Sequence, residues 1–347
     1  MMRRFLLLTL LLPLFCAGFG VCARADPCTF TVTPLDFGTN VDLMTDPTAS
    51  QPYNQTVGDI SITCNNIPKN DAGNAQRALV CIGIPNDLAT TSRVMDWSAA
   101  PASGKGPSPT AVRKLSFGIF RDEARVTPWP NGLAELPTRD LGNGETAALL
   151  SFYGKINPFQ NLASVGSYNG NFQVIFRVYV YAPPEPPPSC TLSDKPGGLR
   201  VYYRTTVDVP VTATIRNMCT FTAPPADMVF PGQTIIKTTD VIRAETTIKL
   251  TCSMDTPYWI SLSDGDWKSG GSRRMKRKGS KDFIPYELYR TQDLSGLPWG
   301  ATQNKDTVSG AGIAANKDHG VYGKILPDGP SPRPGEYSDK IIVTVHF

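Results

Sequence analysis

Residues 219–347 repeat, in the same order, a set of landmarks already spelled out in residues 28–181. CTFTVTPLDFG at Cys28 corresponds to CTFTAPPADMVFPG at Cys219, and ISITC ending at Cys64 to IKLTC ending at Cys252. Arg93-Val94-Met95 corresponds to Arg274-Met275, KLSFGIFRD from Lys114 to FIPYELYRT from Phe283, and Thr127-Pro128-Trp129 to Leu297-Pro298-Trp299. FYGKI from Phe152 is matched by VYGKI from Val321, and GSYNGNFQVIFRVYVY from Gly166 by GEYSDKIIVTVHF from Gly335. A repeat of this length makes two homologous domains the first constraint on the fold. The matched segments are short apolar–polar alternations between turn clusters, and no long stretch has helical periodicity. With 30 glycines and 31 prolines as punctuation, the reading is all-β, two homologous β domains in tandem.

The first 25 residues read as a secretory signal: Arg3 and Arg4, an apolar run over 5–15, then Ala23-Arg24-Ala25 ahead of cleavage before Asp26. Phe15 and Val21 precede Cys16 and Cys22, so neither cysteine sits in a lipoprotein box. No later apolar run is long enough to cross a bilayer. The expectation is an exported chain without a membrane span. About 320 residues then remain, which suits two domains. The net charge of +4 says little about partners.

Six cysteines remain after cleavage, an even number in an oxidising compartment, and point to disulfides. Cys28 and Cys64 occupy the same places in the repeat as Cys219 and Cys252, so each domain would staple its first strand to its second. Cys81 and Cys190 are left over. A bridge between them fits neighbouring strands of an immunoglobulin-like sheet, but spacing leaves the connectivity open. No C-x-x-C occurs and zinc is not expected.

In chain order, strands are expected over 28–32, 57–64, 78–84, 114–121, 146–156 and 171–181, with long loops over 85–110 and 122–145. PPEPPP, 183–188, cannot continue a sheet and reads as a stiff linker. VDVPVTATI follows at 207–215, with Val207, Val209, Val211, Ala213 and Ile215 on one face. The proposed division is 1–25 signal, 26–198 first domain, 199–218 connection and 219–347 second domain. In the last strand Ile341, Val343, Val345 and Phe347 alternate with Ile342, Thr344 and His346. An apolar face with an unpaired edge invites a strand from another chain.

These landmarks resemble the spore coat protein U domain. They are the opening Cys, an ISITC-type second strand, an R-M element, Y-x-L-Y, P-W-G, Y-G-K-I and a terminal G-x-Y-x-D-x-I-x-V-T-V-x-F. The second copy carries them most fully. The first lacks the Gly after Trp129, has Phe117-Gly118-Ile119-Phe120 in place of Tyr286-Glu287-Leu288-Tyr289, and has longer loops. Tandem copies behind a signal are similar to the tip adhesin subunits of archaic, Csu-type chaperone–usher pili. The resemblance implies two immunoglobulin-like β-sandwich domains in tandem, the second an incomplete pilin fold without its last strand. A periplasmic pilus chaperone would lend that strand, and an adjacent pilin subunit would replace it at the outer-membrane usher.

On that resemblance 199–218 is expected to complete the first domain in cis, leaving Ile341, Val343, Val345 and Phe347 for strand exchange. With Cys28 almost at the mature N-terminus, no donor tail is expected, which points to the pilus tip on the cell surface. Loops 65–77, 122–145 and 182–198 would then be distal. Val126, Trp129, Leu133, Leu136 and Pro186 are the candidates for adhesion to an abiotic or host surface and for biofilm formation. Against this, a Trp between prolines packs on its own sheet more often than it binds, and Trp299 at the equivalent place argues for packing.

No cofactor, nucleic-acid partner or catalytic role is expected. Only His319 and His346 are histidines, and neither G-x-S-x-G nor H-E-x-x-H is present. RRMKRK, 273–278, reads as a solvated loop rather than an anion site. The competing classes are a secreted coat or matrix protein that self-assembles by strand exchange, and an exported hydrolase using His319 beside Asp318 in a Gly-rich loop.

Overall fold

The computed structural model describes residues 25–84, 92–99, 110–129, 139–183, 190, 201–233, 235–327 and 330–347. Most of the expected signal segment lies outside them. In the first half the strands are β1 (Cys28–Val32), β2 (Leu35–Asp36), β3 (Gln55–Cys64), β4 (Arg77–Gly83), β5 (Ser92–Ala99), β6 (Lys114–Phe120), β7 (Arg139–Leu141), β8 (Glu145–Ile156), β9 (Gly166–Tyr181) and β10 (Val201–Ile215). The second half has β11 (Cys219–Phe221), β12 (Arg243–Cys252), β13 (Pro257–Leu262), β14 (Arg273–Arg277), β15 (Phe283–Tyr289), β16 (Val308–Ala311), β17 (Asn316–Ile325), β18 (Tyr337–Ser338) and β19 (Val343–His346). Among the described residues there is no α-helix, only a 3-10 turn at Pro52–Asn54. The chain is all-β, two immunoglobulin-like domains in tandem.

The first domain is one curled sheet in the order β1-β3-β8-β6-β5-β9-β10-β2, with β4 on β9 and β7 on β4. Alternation decides which side chains go inside. Ile60 and Ile62 of β3 and Phe172, Val174 and Phe176 of β9 meet Phe117, Trp129 and Phe152 in one cluster. Each such side chain stabilises the fold by roughly 1.5–3 kcal/mol on burial. The unbroken apolar run of β4 has a different cause. Ala78, Val80 and Ile82 enter the main core, while Leu79 and Cys81 pack on the opposite face against Tyr179, Tyr181 and Cys190. Both faces are covered, so no polar alternation is needed.

The second domain stacks the sheet β11-β12-β17-β15-β14-β18 on the sheet β16-β13-β19. Ile248, Leu250, Tyr258, Ile260, Leu262, Leu288 and Trp299 lie between them. The disulfides join Cys28 to Cys64, Cys81 to Cys190 and Cys219 to Cys252. In the first and third the cysteines stand directly opposite each other in the β1–β3 and β11–β12 ladders. Only residues 216–218 link β10 to β11. Arg216 forms an ion pair with buried Asp42 (2.6 Å), and Val165 N–H donates to the Met254 carbonyl (3.0 Å) across the junction.

Four sequence expectations need correction. The loop 122–145 contains the short strand β7, paired with β4. The loop 85–110 contains β5, because Met95 is pulled into the core while Val94 and Asp96 stay outside, an alternation masked by the surrounding Ser, Pro and Gly. The basic run is strand β14 rather than a loop. Buried Arg273 braces Glu287 (2.9 Å) and the Trp299 carbonyl (2.7 Å), while Arg274 and Lys276 lie over Phe283 and Trp267. His319 is in β17, opposite Ile248, rather than in a loop.

A candidate strand-acceptor groove

The geometry of the site is clearest by comparing the two domains at β10. This strand pairs with β9 from Val201 opposite Tyr179 to Ile215 opposite Gly166. On its other side it meets β2 in parallel, Val211 beside Leu35 and Thr212 beside Asp36. Phe37 N–H donates to the Thr212 carbonyl (2.9 Å), and Thr214 N–H to the Gly38 carbonyl (2.9 Å). Alternation turns Val209, Val211, Ala213 and Ile215 inward, all buried, and leaves Asp208, Pro210 and Thr212 outside. Pro210, which has no N–H to give, is tolerated because β10 meets β2 over only two residues.

The repeat assigns the counterparts in the second domain. GEYSDKIIVTVHF stands for β9, and Met228-Val229-Phe230 for Leu35-Asp36-Phe37. Where β9 is one continuous strand, its counterpart is split into β18 on β14 and β19 on β13, with 339–342 in neither. Among the described residues β19 has a strand on one side only. Beside it, where β10 would lie, runs an open groove of about 630 Å³. Its floor is core: Ile248, Leu262, Tyr286, Leu288 and Val321 line it, with Met228 and Phe230 as one wall. Exposed apolar surface and a one-sided strand both favour acquiring a partner strand.

Glycine spacing builds that wall. A Cβ on Gly323 of the VYGKI motif would come 2.5 Å from Met228 Sδ and 2.7 Å from Phe230 Cζ. A Cβ on Gly154 of FYGKI would meet Phe37 Cζ at 3.0 Å and Leu35 Cδ1 at 3.3 Å. Tyr286 donates its hydroxyl to Asp339 (2.7 Å). Burial and then the neighbouring carboxylate push that phenol well above its ordinary pKa, so it stays a donor.

The sequence-predicted residues fall as follows. Ile341 and Val343 line the groove half-buried, Val345 packs on the core beside them, and Phe347 is exposed. Trp129 is 1% exposed and edge-on to Phe152, its backbone N–H donating to the Ile119 carbonyl (2.8 Å), so its side chain packs in the core rather than facing a surface. Trp299 is buried in the same way, its indole N–H donating to the Ile260 carbonyl (3.0 Å).

Val126 is 74% exposed, but its turn is tied by Arg125 to the carbonyls of Thr56 and Gly154. Those residues lie eight positions along β3 and nine along β8 from the Cys64–Glu145 pair, about 27–30 Å at the rise of a strand. The start of loop 122–145 therefore lies on the flank, while Gly142–Glu145 lie at the far end. That far end also holds residues 65–76, where Ile67 N–H donates to Asn143 (2.7 Å). Leu133, Leu136 and Pro186 lie outside the described residues.

His319 does not reach the groove's wall. Its Nε2 lies 2.9 Å from the Tyr258 hydroxyl, and burial, then Lys317, holds its pKa below the ordinary value. Among the described residues no group of three His, Cys, Asp or Glu is placed to hold a metal, and no helix is long and apolar enough to cross a membrane. The groove wall at Met228 and Phe230 and the Tyr286–Asp339 contact were not singled out from sequence. Aligning DMVF with PLDF was the signal available.

A family model described as the Spore Coat Protein U domain matches residues 21–175 and 205–344. No curated protein matches the chain. Among solved structures the chain is similar to the CsuC–CsuE chaperone–tip adhesion subunit pre-assembly complex from archaic chaperone–usher Csu pili of Acinetobacter baumannii, at 15% identity and TM-score 0.45, covering 92% of this chain and 100% of that one. It is also similar to the CupB6 tip adhesin of Pseudomonas aeruginosa, at 11% identity and TM-score 0.37, covering 92% and 94%. A third is CfaE, the adhesive subunit of CFA/I fimbria of enterotoxigenic Escherichia coli, at 11% identity and TM-score 0.32, covering 77% and 81%.

Proposed function

The chain belongs to the Spore Coat Protein U domain family, and from that premise we propose that it is a non-enzymatic, two-domain tip adhesin of a chaperone–usher pilus. The second domain accepts a β-strand from another chain, first a periplasmic chaperone and then, at an outer-membrane usher, the adjacent pilin subunit. The first domain is completed in cis by β10. Its far end, at residues 65–76 and Gly142–Glu145, meets the surface to be colonised, in attachment and biofilm growth.

One observation carries this reading: the core-lined groove stands in the second domain where β10 stands in the first. β10 supplies the measure of what is missing. It places four buried apolar side chains and a long antiparallel ladder into the same position. A strand of that pattern laid beside Ile341, Val343 and Val345 would remove their apolar surface from water and give the backbone of 339–345 partners.

The test is a synthetic peptide with the sequence of residues 201–216, offered to the full chain. Binding at one peptide per chain, lost in Val343→Asp, supports the reading. A chain that ignores the peptide and instead forms fibres on its own would favour a self-assembling coat protein.

A further inference from the structure

β19 poses a problem of its own. It is four residues long and, among the described residues, paired only with β13, Trp259 opposite His346 through Leu262 opposite Val343. β13 is itself braced by β16, but a four-residue edge strand with one neighbour has few ladder bonds to keep it ordered. Its inner face gives little help, because Val343 and Val345 are only half-buried while the groove is open. Yet an acceptor edge must already be extended and in register, or the cost of ordering it is subtracted from strand capture.

The outer face supplies the hold. The His346 imidazole lies flat on the Trp259 indole, ring centroids 3.5 Å apart and planes within 3°. Its Nε2 is 3.0 Å from Oγ of Ser261, itself buried on β13. The two contacts pin both ring and strand to β13. The repeat places His346 at the position of Arg177, which stands opposite Cys81 in the β4–β9 ladder. There the outer face is covered by Tyr179, Tyr181 and the Cys81–Cys190 disulfide. The first domain has a covalent staple on that face, and the second has a ring stack.

We infer that His346 is a positioning residue for strand capture: stacked on Trp259, it holds β19 extended and in register while the groove is empty. The inference rests on the acceptor reading of the groove, but its first readout does not need a donor. Amide hydrogen exchange of the full chain is followed over 343–347 and, as an internal reference, over β12. In His346→Ala the 343–347 amides exchange about tenfold faster or more, with β12 unchanged. His346→Phe, which keeps a ring on Trp259, returns exchange close to the original. Association of the 201–216 peptide slows in the Ala variant and recovers in the Phe variant. Unchanged exchange in His346→Ala, or no recovery in His346→Phe, overturns the inference. If the unmodified chain fails to bind the peptide, the acceptor reading falls while the exchange result still decides whether His346 holds the strand.

Discussion

Gly323 lies so close beneath Phe230 that a Cβ on it would come 2.7 Å from the ring's Cζ. The glycine of the repeated Y-G-K-I motif is thus a seat for an aromatic ring on the rim of the groove. Gly323→Ala is expected to displace Met228 and Phe230 and to weaken binding of the 201–216 peptide. The cost to stability is about 1–3 kcal/mol, the usual range for overpacking. Peptide titration together with thermal unfolding checks this.

Trp129→Ser is expected to destabilise the first domain by about 3–5 kcal/mol, as loss of a buried Trp does. Trp299→Ser should do the same to the second. If Trp129→Ser leaves the unfolding midpoint unmoved and only lowers adhesion, the packing described above is wrong.

β10 and residue 229 predict opposite outcomes for the same substitution. Val209 is fully buried on β10, and Val209→Asp should cost about 4 kcal/mol or more by burying a charge. Val229 is 78% exposed and stands where the first domain has Asp36, so Val229→Asp should leave stability within about 0.5 kcal/mol. Denaturant midpoints of the two variants decide it.

The junction side of the first domain should be acid-sensitive. Burial alone would raise the Asp46 carboxyl, but hydrogen bonds from Gln51, Ser50, Thr48 and Asn54 outweigh it and hold the pKa at about 2. Asp42 is likewise held low, burial being outweighed by Thr45 and the Arg216 guanidinium. A depressed folded value stabilises above the unfolded value of 3.8 and loses that stabilisation as pH falls through about 2. Asp46→Asn should cost about 1–3 kcal/mol at neutral pH and flatten the loss between pH 4 and 2. Unfolding midpoints across that range measure it.

The duplication and the alternation in each copy were enough to read two β-domains, because strand patterning is local and the repeat checks each segment against its twin. β10 was legible for the same reason: Val207 to Ile215 alternate without interruption. What escaped depends on the chain's path in three dimensions. For Trp129 the twin Trp299 argued for packing, but which core the side chain enters, beside Phe152 of β8, is set by the path of the chain. β5 hides in a Ser- and Pro-rich stretch, since its buried anchor, Met95, is visible only once β6 and β9 flank it. The groove wall at Met228 and Phe230 has no period at all; it exists because Gly323 leaves room for it.

The most direct measurement is the native mass of the chain isolated from the periplasm, with hydrogen exchange over 335–347. The account predicts a one-to-one complex with a second protein, in which the amides of Ile341, Val343 and Val345, which face the groove rather than β13, are protected and become exposed on its dissociation. A stable, soluble monomer with those amides protected by its own chain would contradict it.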